Sequence, residues 1–159
     1  MENISSSMSD FELGLALGAH ANEFGSTTGR PRQVGVLDLV LLKDASRFGG
    51  VDELILNSLD MMKYFNKSRF GGIPIVTAYE FNGKIITNPP LGTYDLGKVK
   101  PITKVLPGFD EDITGIRKFV DLPIQARNLV DYVQNYLQDV GTKVTAVGVG
   151  PRRDQIIFI

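Results

Sequence analysis

The chain contains no cysteine, which excludes structural disulfides and zinc–thiolate sites. Its single histidine, His20, excludes a histidine-rich metal centre built from this sequence. No stretch of about 18 consecutive apolar residues occurs, so the sequence offers no transmembrane helix. Nor does it open with a basic segment followed by an apolar one in the layout of a secretory leader, and the expected compartment is the cytoplasm. Neither sign of charge is in excess: 17 Lys and Arg against 18 Asp and Glu leave a net charge of −1. That balance argues against nucleic acid or a membrane surface as partner.

The sequence has 159 residues, 43% hydrophobic and 22% charged, which fits one soluble globular domain or a large part of one. It has no internal repeat and no low-complexity tract. Residues 1–10 are polar and serine-rich and are expected to be flexible, with the folded unit spanning 11–159. Ser9 or Asp10 can cap a helix to about residue 21, weakened by about 1 kcal/mol at each of Gly14 and Gly18. Leu37, Val40, Leu41, Ala45 and Phe48, with Leu39 and Leu42 beside them, predict a helix over 35–48 that is buried on most sides. Gly49 and Gly50 end it.

A strand is expected over 52–59, packed through Leu54, Ile55 and Leu56, followed by a turn or short helix at 60–65. Asn82-Gly83 between 73–81 and 84–87 predicts a β-hairpin. Pro101 makes the strand at 99–106 an edge strand or a late starter. The helix over 122–140 takes Asp121 as cap and Pro123 in its first turn, with Ala126, Leu129, Val130, Val133, Tyr136, Leu137 and Val140 as its buried stripe. Strands at 143–149 and 155–159 complete a mixed α/β unit: a mixed sheet with a β-hairpin and flanking helices.

The chemistry gathers in Glu23-Phe24-Gly25-Ser26-Thr27-Thr28-Gly29-Arg30-Pro31-Arg32. Three adjacent hydroxyls donate to anionic oxygens, and Gly29 permits a turn of positive φ or a close approach to a ligand. Arg30 and Arg32 can each grip a carboxylate or phosphate through paired hydrogen bonds, and Pro31 stiffens the loop between them. This is an anion-binding loop, though not a Walker A loop, because the glycine spacing differs and no Lys-Ser/Thr pair closes it. The plainer reading is a basic polar turn.

The same ten residues resemble the substrate loop of the adenylosuccinate synthetase family, whose pattern is close to E-x-G-[ST]-T-T-G-R-x-R. Further landmarks follow in the family's order. Val34 to Asp38 resembles R-x-G-W-[FL]-D, and Leu56-Asn57-Ser58-Leu59-Asp60 falls where the family has L-T-K-L-D. Ala78 to Gly83 is similar to its A-Y-x-x-x-G hairpin, and Leu106-Pro107-Gly108-Phe109 with Thr114-Gly115-Ile116 to L-P-G-W…T-x-G-[VI]. Leu122-Pro123 with Ala126-Arg127 resembles L-P-x-x-A, and Val149-Gly150-Pro151-Arg152-Arg153-Asp154-Gln155 resembles V-G-P-x-R. The resemblance runs from about Phe11 onward but covers only the family's C-terminal portion. The glycine-rich phosphate loop, catalytic aspartate and catalytic histidine of its N-terminal portion are not in this sequence.

The resemblance implies the C-terminal part of the adenylosuccinate synthetase fold and a ligase that joins L-aspartate to IMP with GTP hydrolysis, toward AMP. Magnesium is implied as cofactor, with ligands from the missing portion, GTP as co-substrate, and a homodimer as the assembly. Gly25, Ser26, Thr27, Thr28 and Gly29 would hold aspartate, with Arg30 clamping a carboxylate near the nucleotide ribose. Arg32 would approach the nucleotide phosphates and serve as the catalytic residue of this portion; its plainer reading is a surface charge. Ser58, Leu59 and Asp60 form the expected guanine-reading segment, since a carboxylate at Asp60 accepts from both N1–H and the 2-amino group. Gly148, Val149, Gly150 and Pro151 form the other wall.

Ser58 replaces the family's lysine and Asn57 its threonine, which leaves open a viral-type relative that uses dGMP as acceptor and takes ATP. A non-catalytic nucleotide-binding module is the alternative from another class. No metal ligands are expected within the chain: Asp110-Glu111-Asp112 reads as an acidic surface turn. His20 reads as a capping or packing residue, and Lys63, Lys67 and Arg69 as a solvated face.

Overall fold

A computed structural model describes residues 4–159. Of the segment expected to be flexible, residues 1–3 lie outside the described part. Within it, Ile4 is buried against the first helix and Ser9 caps that helix. The helix, α1 (Asp10–His20), opens with a reciprocal capping box: Glu12 N–H donates to Ser9 Oγ at 3.4 Å, and Ser9 N–H donates to Glu12 Oε2 at 2.8 Å. One of its glycines has a packing reason. A Cβ on Gly14 would lie 2.6 Å from the Val34 carbonyl oxygen, whereas one on Gly18 would make only ordinary contact, 3.5 Å from that of Arg32. Gly14 lets the chain leaving the arginine loop run directly over the helix.

The expected helix over 35–48 begins later, at Leu39. Leu37–Asp38 form a short strand, β1, and Asp38 caps α2 (Leu39–Gly49) by accepting from Leu41 N–H at 3.0 Å. The buried face of α2 is Leu39, Val40 and Ser46. Leu41 and Phe48, placed on the buried stripe from sequence, are exposed instead, Phe48 by 77%. The two-residue strand shifts the helical phase, so an apolar count begun at Leu37 runs out of register. Gly50 ends the helix at φ 60°, in the left-handed region.

β2 (Glu53–Leu56) stops three residues short of the expected strand. Ser58 takes φ 59° and turns the chain into a 3₁₀ helix, Leu59–Lys67. β3 (Ile73–Phe81) and β4 (Lys84–Ile86) form the hairpin, with Asn82 and Gly83 both at positive φ as a type I′ turn requires. A one-turn helix, α3 (Thr93–Leu96), precedes β5 (Lys100–Leu106), which pairs only with β3 and so is the edge strand that Pro101 predicts. The next helix, α4 (Ile124–Tyr136), starts after Pro123 as N-cap, not at an Asp121 cap: Asp121 ends a separate 3₁₀ turn, Phe119–Asp121. A further 3₁₀ turn, Gln138–Val140, closes at Gly141, φ 78°. β6 (Lys143–Gly148) and β7 (Ile156–Phe158) follow.

The α/β class with a hairpin and flanking helices is what the structure shows, with the strands divided between two mixed sheets. In one, β3 pairs parallel with β1 and antiparallel with β4 and β5. In the other, β6 pairs parallel with β2 and antiparallel with β7. One core joins them: Ile73 and Ile75 from the first sheet pack in the same cluster as Val144, Val147 and Ile157 from the second. Leu39 of α2 and Ala126, Leu129 and Val133 of α4 belong to it too.

Candidate functional site

The loop at 23–32, expected to bind an anion, is a closed hairpin. Phe24 and Pro31 bridge, Gly25 N–H donates to the Arg30 carbonyl at 2.8 Å, and Arg32 N–H donates to the Glu23 carbonyl at 2.9 Å. Gly29 N–H returns to the Gly25 carbonyl at 2.8 Å with Gly29 at φ 64°, a conformation that favours glycine. Gly25 has its own constraint: a Cβ there would sit 2.9 Å from Thr28 Oγ1. Ser26, Thr27, Thr28 and Arg30 are exposed at the tip. Arg32 lies at the base, where its Nη1 donates to Glu23 Oε2 at 3.0 Å. The motif's first and last residues are thus an ion pair that steadies the loop's entry and exit.

The other two predicted segments meet at the end of a parallel strand pair. β2 and β6 run side by side with Leu56 opposite Val147, so 57–60 and 148–151 both leave the sheet at its carboxyl edge. In open α/β sheets that edge is where ligands bind. Gly148 makes the approach possible, since a Cβ there would lie 2.9 Å from Asn57 Oδ1 and 3.3 Å from Asn57 Cα. Leu59 and Val149, included among the site residues, have side chains buried in the core. They can offer only backbone groups, and the Val149 N–H already donates to the Gln155 carbonyl at 2.8 Å.

Asp60 is half-buried at the start of the 3₁₀ helix, and that burial pushes its carboxyl above the ordinary carboxylate range. Lys63 opposes the shift and Asp112 adds to it. Asp112 itself is held low, because it accepts from Thr114 N–H at 3.0 Å. The acidic stretch 110–112 is a hydrogen-bonded turn: Asp110 accepts from Asn66 Nδ2 at 3.1 Å, and Glu111 from Asp110 N–H at 3.0 Å.

The loop and the chain around Ser58 share a cavity of about 240 Å3, whose lining includes Glu23, Arg32 and Gln33 on one side and Ser58 and Met62 on the other. Asp60 and the 148–151 wall do not line it. A larger cavity of about 300 Å3, apolar and walled by Leu13, Leu17, Phe65 and Phe70, holds none of the predicted site residues. His20 stacks on Tyr64 with ring centroids 4.3 Å apart. Arg69 is more than a solvated charge, since its Nε donates to Asp10 at 2.9 Å and ties the 3₁₀ helix region to α1. Among the described residues no group of three or more His, Cys, Asp or Glu side chains converges as a metal site. No helix among them is long and apolar enough to cross a membrane.

Sequence reasoning missed Gln155 and Thr114, which fasten the second wall from behind. A Gln three residues after a turn entry has the spacing of a cap, but its partner at Thr114 lies 41 positions away and leaves no local signal.

The family model described as adenylosuccinate synthetase matches residues 3–157. The adenylosuccinate synthetase of Bdellovibrio bacteriovorus is 39% identical over 93% of this chain and 32% of its own length. That of Streptococcus gordonii is 40% identical over 91% of this chain and, again, 32% of its own length. Among solved structures, the fully ligated adenylosuccinate synthetase from Plasmodium falciparum superposes with a TM-score of 0.80 at 26% identity, covering 92% of this chain and 34% of that one. The chain therefore spans about a third of the length of the relatives it matches. With nearly every residue matched by the family model and the fold shared, the chain belongs to the adenylosuccinate synthetase family.

Proposed function

We propose that this chain is the aspartate- and nucleotide-base-binding portion of an enzyme that joins L-aspartate to IMP at the expense of GTP. The observation that carries the reading is the convergence of 57–60 and 148–151 at the carboxyl ends of parallel β2 and β6, with Gly148 leaving no room for a side chain between them. Asp60, as a carboxylate, accepts from the N1–H and 2-amino group of guanine, two donors that adenine lacks. The loop tip, Gly25 to Gly29, offers its hydroxyls and turned backbone to the aspartate carboxylates, with Arg30 as clamp. Holding the amine of aspartate in place is the loop's contribution to rate.

Arg32, released from Glu23, offsets negative charge as a phosphoryl group moves. Arg32 is exposed and Glu23 only partly buried, so exchanging one anion for another costs little. Magnesium supplies charge neutralisation on the nucleotide phosphates. By the family resemblance its ligands come from the portion of the family fold outside this chain, as do the phosphate loop and the catalytic aspartate and histidine. Homodimerisation and a cytoplasmic place in purine nucleotide biosynthesis follow the same family reading.

Ser58 favours a second reading of the donor. Its short side chain stands two residues before Asp60, where the family's lysine stem would lie against the base, which loosens discrimination against ATP. The test is adenylosuccinate formation from IMP, aspartate, magnesium and either GTP or ATP. It is run with the chain alone and with the N-terminal portion of the Bdellovibrio relative added. Activity only in the mixture, with GTP ahead of ATP, is the expected result. Equal use of ATP, or of dGMP as acceptor, would favour the viral-type reading, and nucleotide binding without turnover would favour a non-catalytic module.

A further inference from the structure

Gln155 stands out chemically. It follows an exposed turn, 151–154, yet keeps only 5% of its own surface exposed. A buried primary amide must satisfy both ends. Its Oε1 accepts from Arg152 N–H at 2.9 Å, and its Nε2 donates to the Thr114 carbonyl at 3.0 Å. The partners fix which end is which, since a backbone N–H can only donate and a carbonyl only accept. Its backbone is engaged as well: Gln155 N–H donates to the Arg152 carbonyl at 3.0 Å, and its carbonyl accepts from Val149 N–H at 2.8 Å. One residue thus holds both the entry and the middle of the 149–155 turn and ties them to another part of the chain.

The turn is shaped around that amide. A Cβ on Gly150 would fall 2.5 Å from the Gln155 side chain, so the amide lies flat against bare backbone. On the opposite side, Gly148 lies against Asn57 and the Ser58 nitrogen. The wall is therefore gripped from both faces, by the first base-reading segment in front and by Gln155 behind. Arg117 adds an outer strap, donating to Asp154 at 2.8 Å and to the Thr114 carbonyl at 2.7 Å, but this ion pair is solvent-exposed.

We propose that Gln155 is the positioning residue of the nucleotide site, locking the Gly148–Pro151 wall to Thr114 so that its backbone presents one fixed geometry to a purine base. The role rests on the nucleotide reading above and adds to it the group that pre-organises the wall. Gln155 itself touches no ligand. Removing it leaves the wall's atoms in place but lets them wander, and the ordering they then need is charged against binding.

The test is calorimetric titration of the full chain with GDP, paired with amide hydrogen exchange at Arg152 and at Ile157 in the β6–β7 ladder. Gln155→Leu is expected to weaken GDP binding by about tenfold and to speed exchange at Arg152 but not at Ile157. Gln155→Glu keeps the acceptor for Arg152 N–H but faces the Thr114 carbonyl with a carboxylate oxygen in place of the amide N–H, so it is expected to weaken GDP binding as well while leaving exchange at Arg152 slow. Should Gln155→Leu fail to fold, Gly150→Ala answers the same question, since it keeps Gln155 but pushes its amide aside; about tenfold weaker binding is again expected. A parent chain that binds GDP, with these variants binding equally well, overturns the role of Gln155 alone. For Gln155→Leu, weakened binding with Arg152 exchange unchanged also overturns it, as does full GDP affinity in Gln155→Glu. A parent chain that does not bind GDP overturns the nucleotide reading, and the role falls with it.

Discussion

At Asp60 two demands conflict. Reading guanine needs a charged carboxylate, while half-burial favours the neutral form and raises the carboxyl above its ordinary range. A folded-state pKa raised above the unfolded one gives a contribution that is most favourable below the unfolded pKa and is lost as pH rises through the folded value. Asp60→Asn is therefore expected to raise the melting temperature at pH 7 and to leave it unchanged at pH 3, as thermal denaturation at the two pH values will show. The same variant is expected to lose GDP affinity by about tenfold or more, because its amide N–H group opposes one of the base's donors. A residue that stabilises when neutralised and loses ligand at the same time is one retained for binding. The role proposed for Asp60 rests on a contiguous motif and so was available in the sequence. That proposed for Gln155 was not, because it depends on Thr114 and on the bare backbone of Gly150, which only the fold brings to it.

Among the elements, α1 separates local propensity from packing. By propensity, alanine at Gly14 would strengthen the helix by about 1 kcal/mol. By packing, its Cβ would lie 2.6 Å from the Val34 carbonyl and force apart the helix and the chain that leaves the arginine loop. Gly14→Ala is expected to lower the melting temperature by about 2–4 °C or more, the effect of about 1 kcal/mol in a domain of this length. A rise would show that the loop's exit does not rest on α1. Gly148→Ala tests the other contact, and is expected to spread the ends of β2 and β6 and weaken GDP binding with little change in the far strands. The hairpin and α4 were legible because Asn82-Gly83 and the stripe from Ala126 to Leu137 are local patterns that packing does not alter. α2 was misphased because a two-residue strand pairing with β3 precedes it, and no local pattern announces so short a strand.

In the molecule as a whole, a single core serves two sheets. Leu129 of α4 lies in the cluster that includes strand residues of both, so Leu129→Ala is expected to cost about 2–5 kcal/mol. Both sheets are expected to melt in one transition, followed by circular dichroism and by amide exchange at Ile75 and Val147; separate transitions would show two independently stable units. This shared core is what lets about a third of the family's length hold the loop and the segments 57–60 and 148–151 in place. Resemblance in colinear motifs carried the family reading, while the division of labour within the site needed the parallel pairing of β2 with β6. The most direct measurement is calorimetric titration of the full chain and of Asp60→Asn with GDP and with ADP. Binding of GDP in preference to ADP, lost in Asp60→Asn, is the predicted result. No binding by the parent chain, or binding that is indifferent to the base and to Asp60, would contradict the assignment.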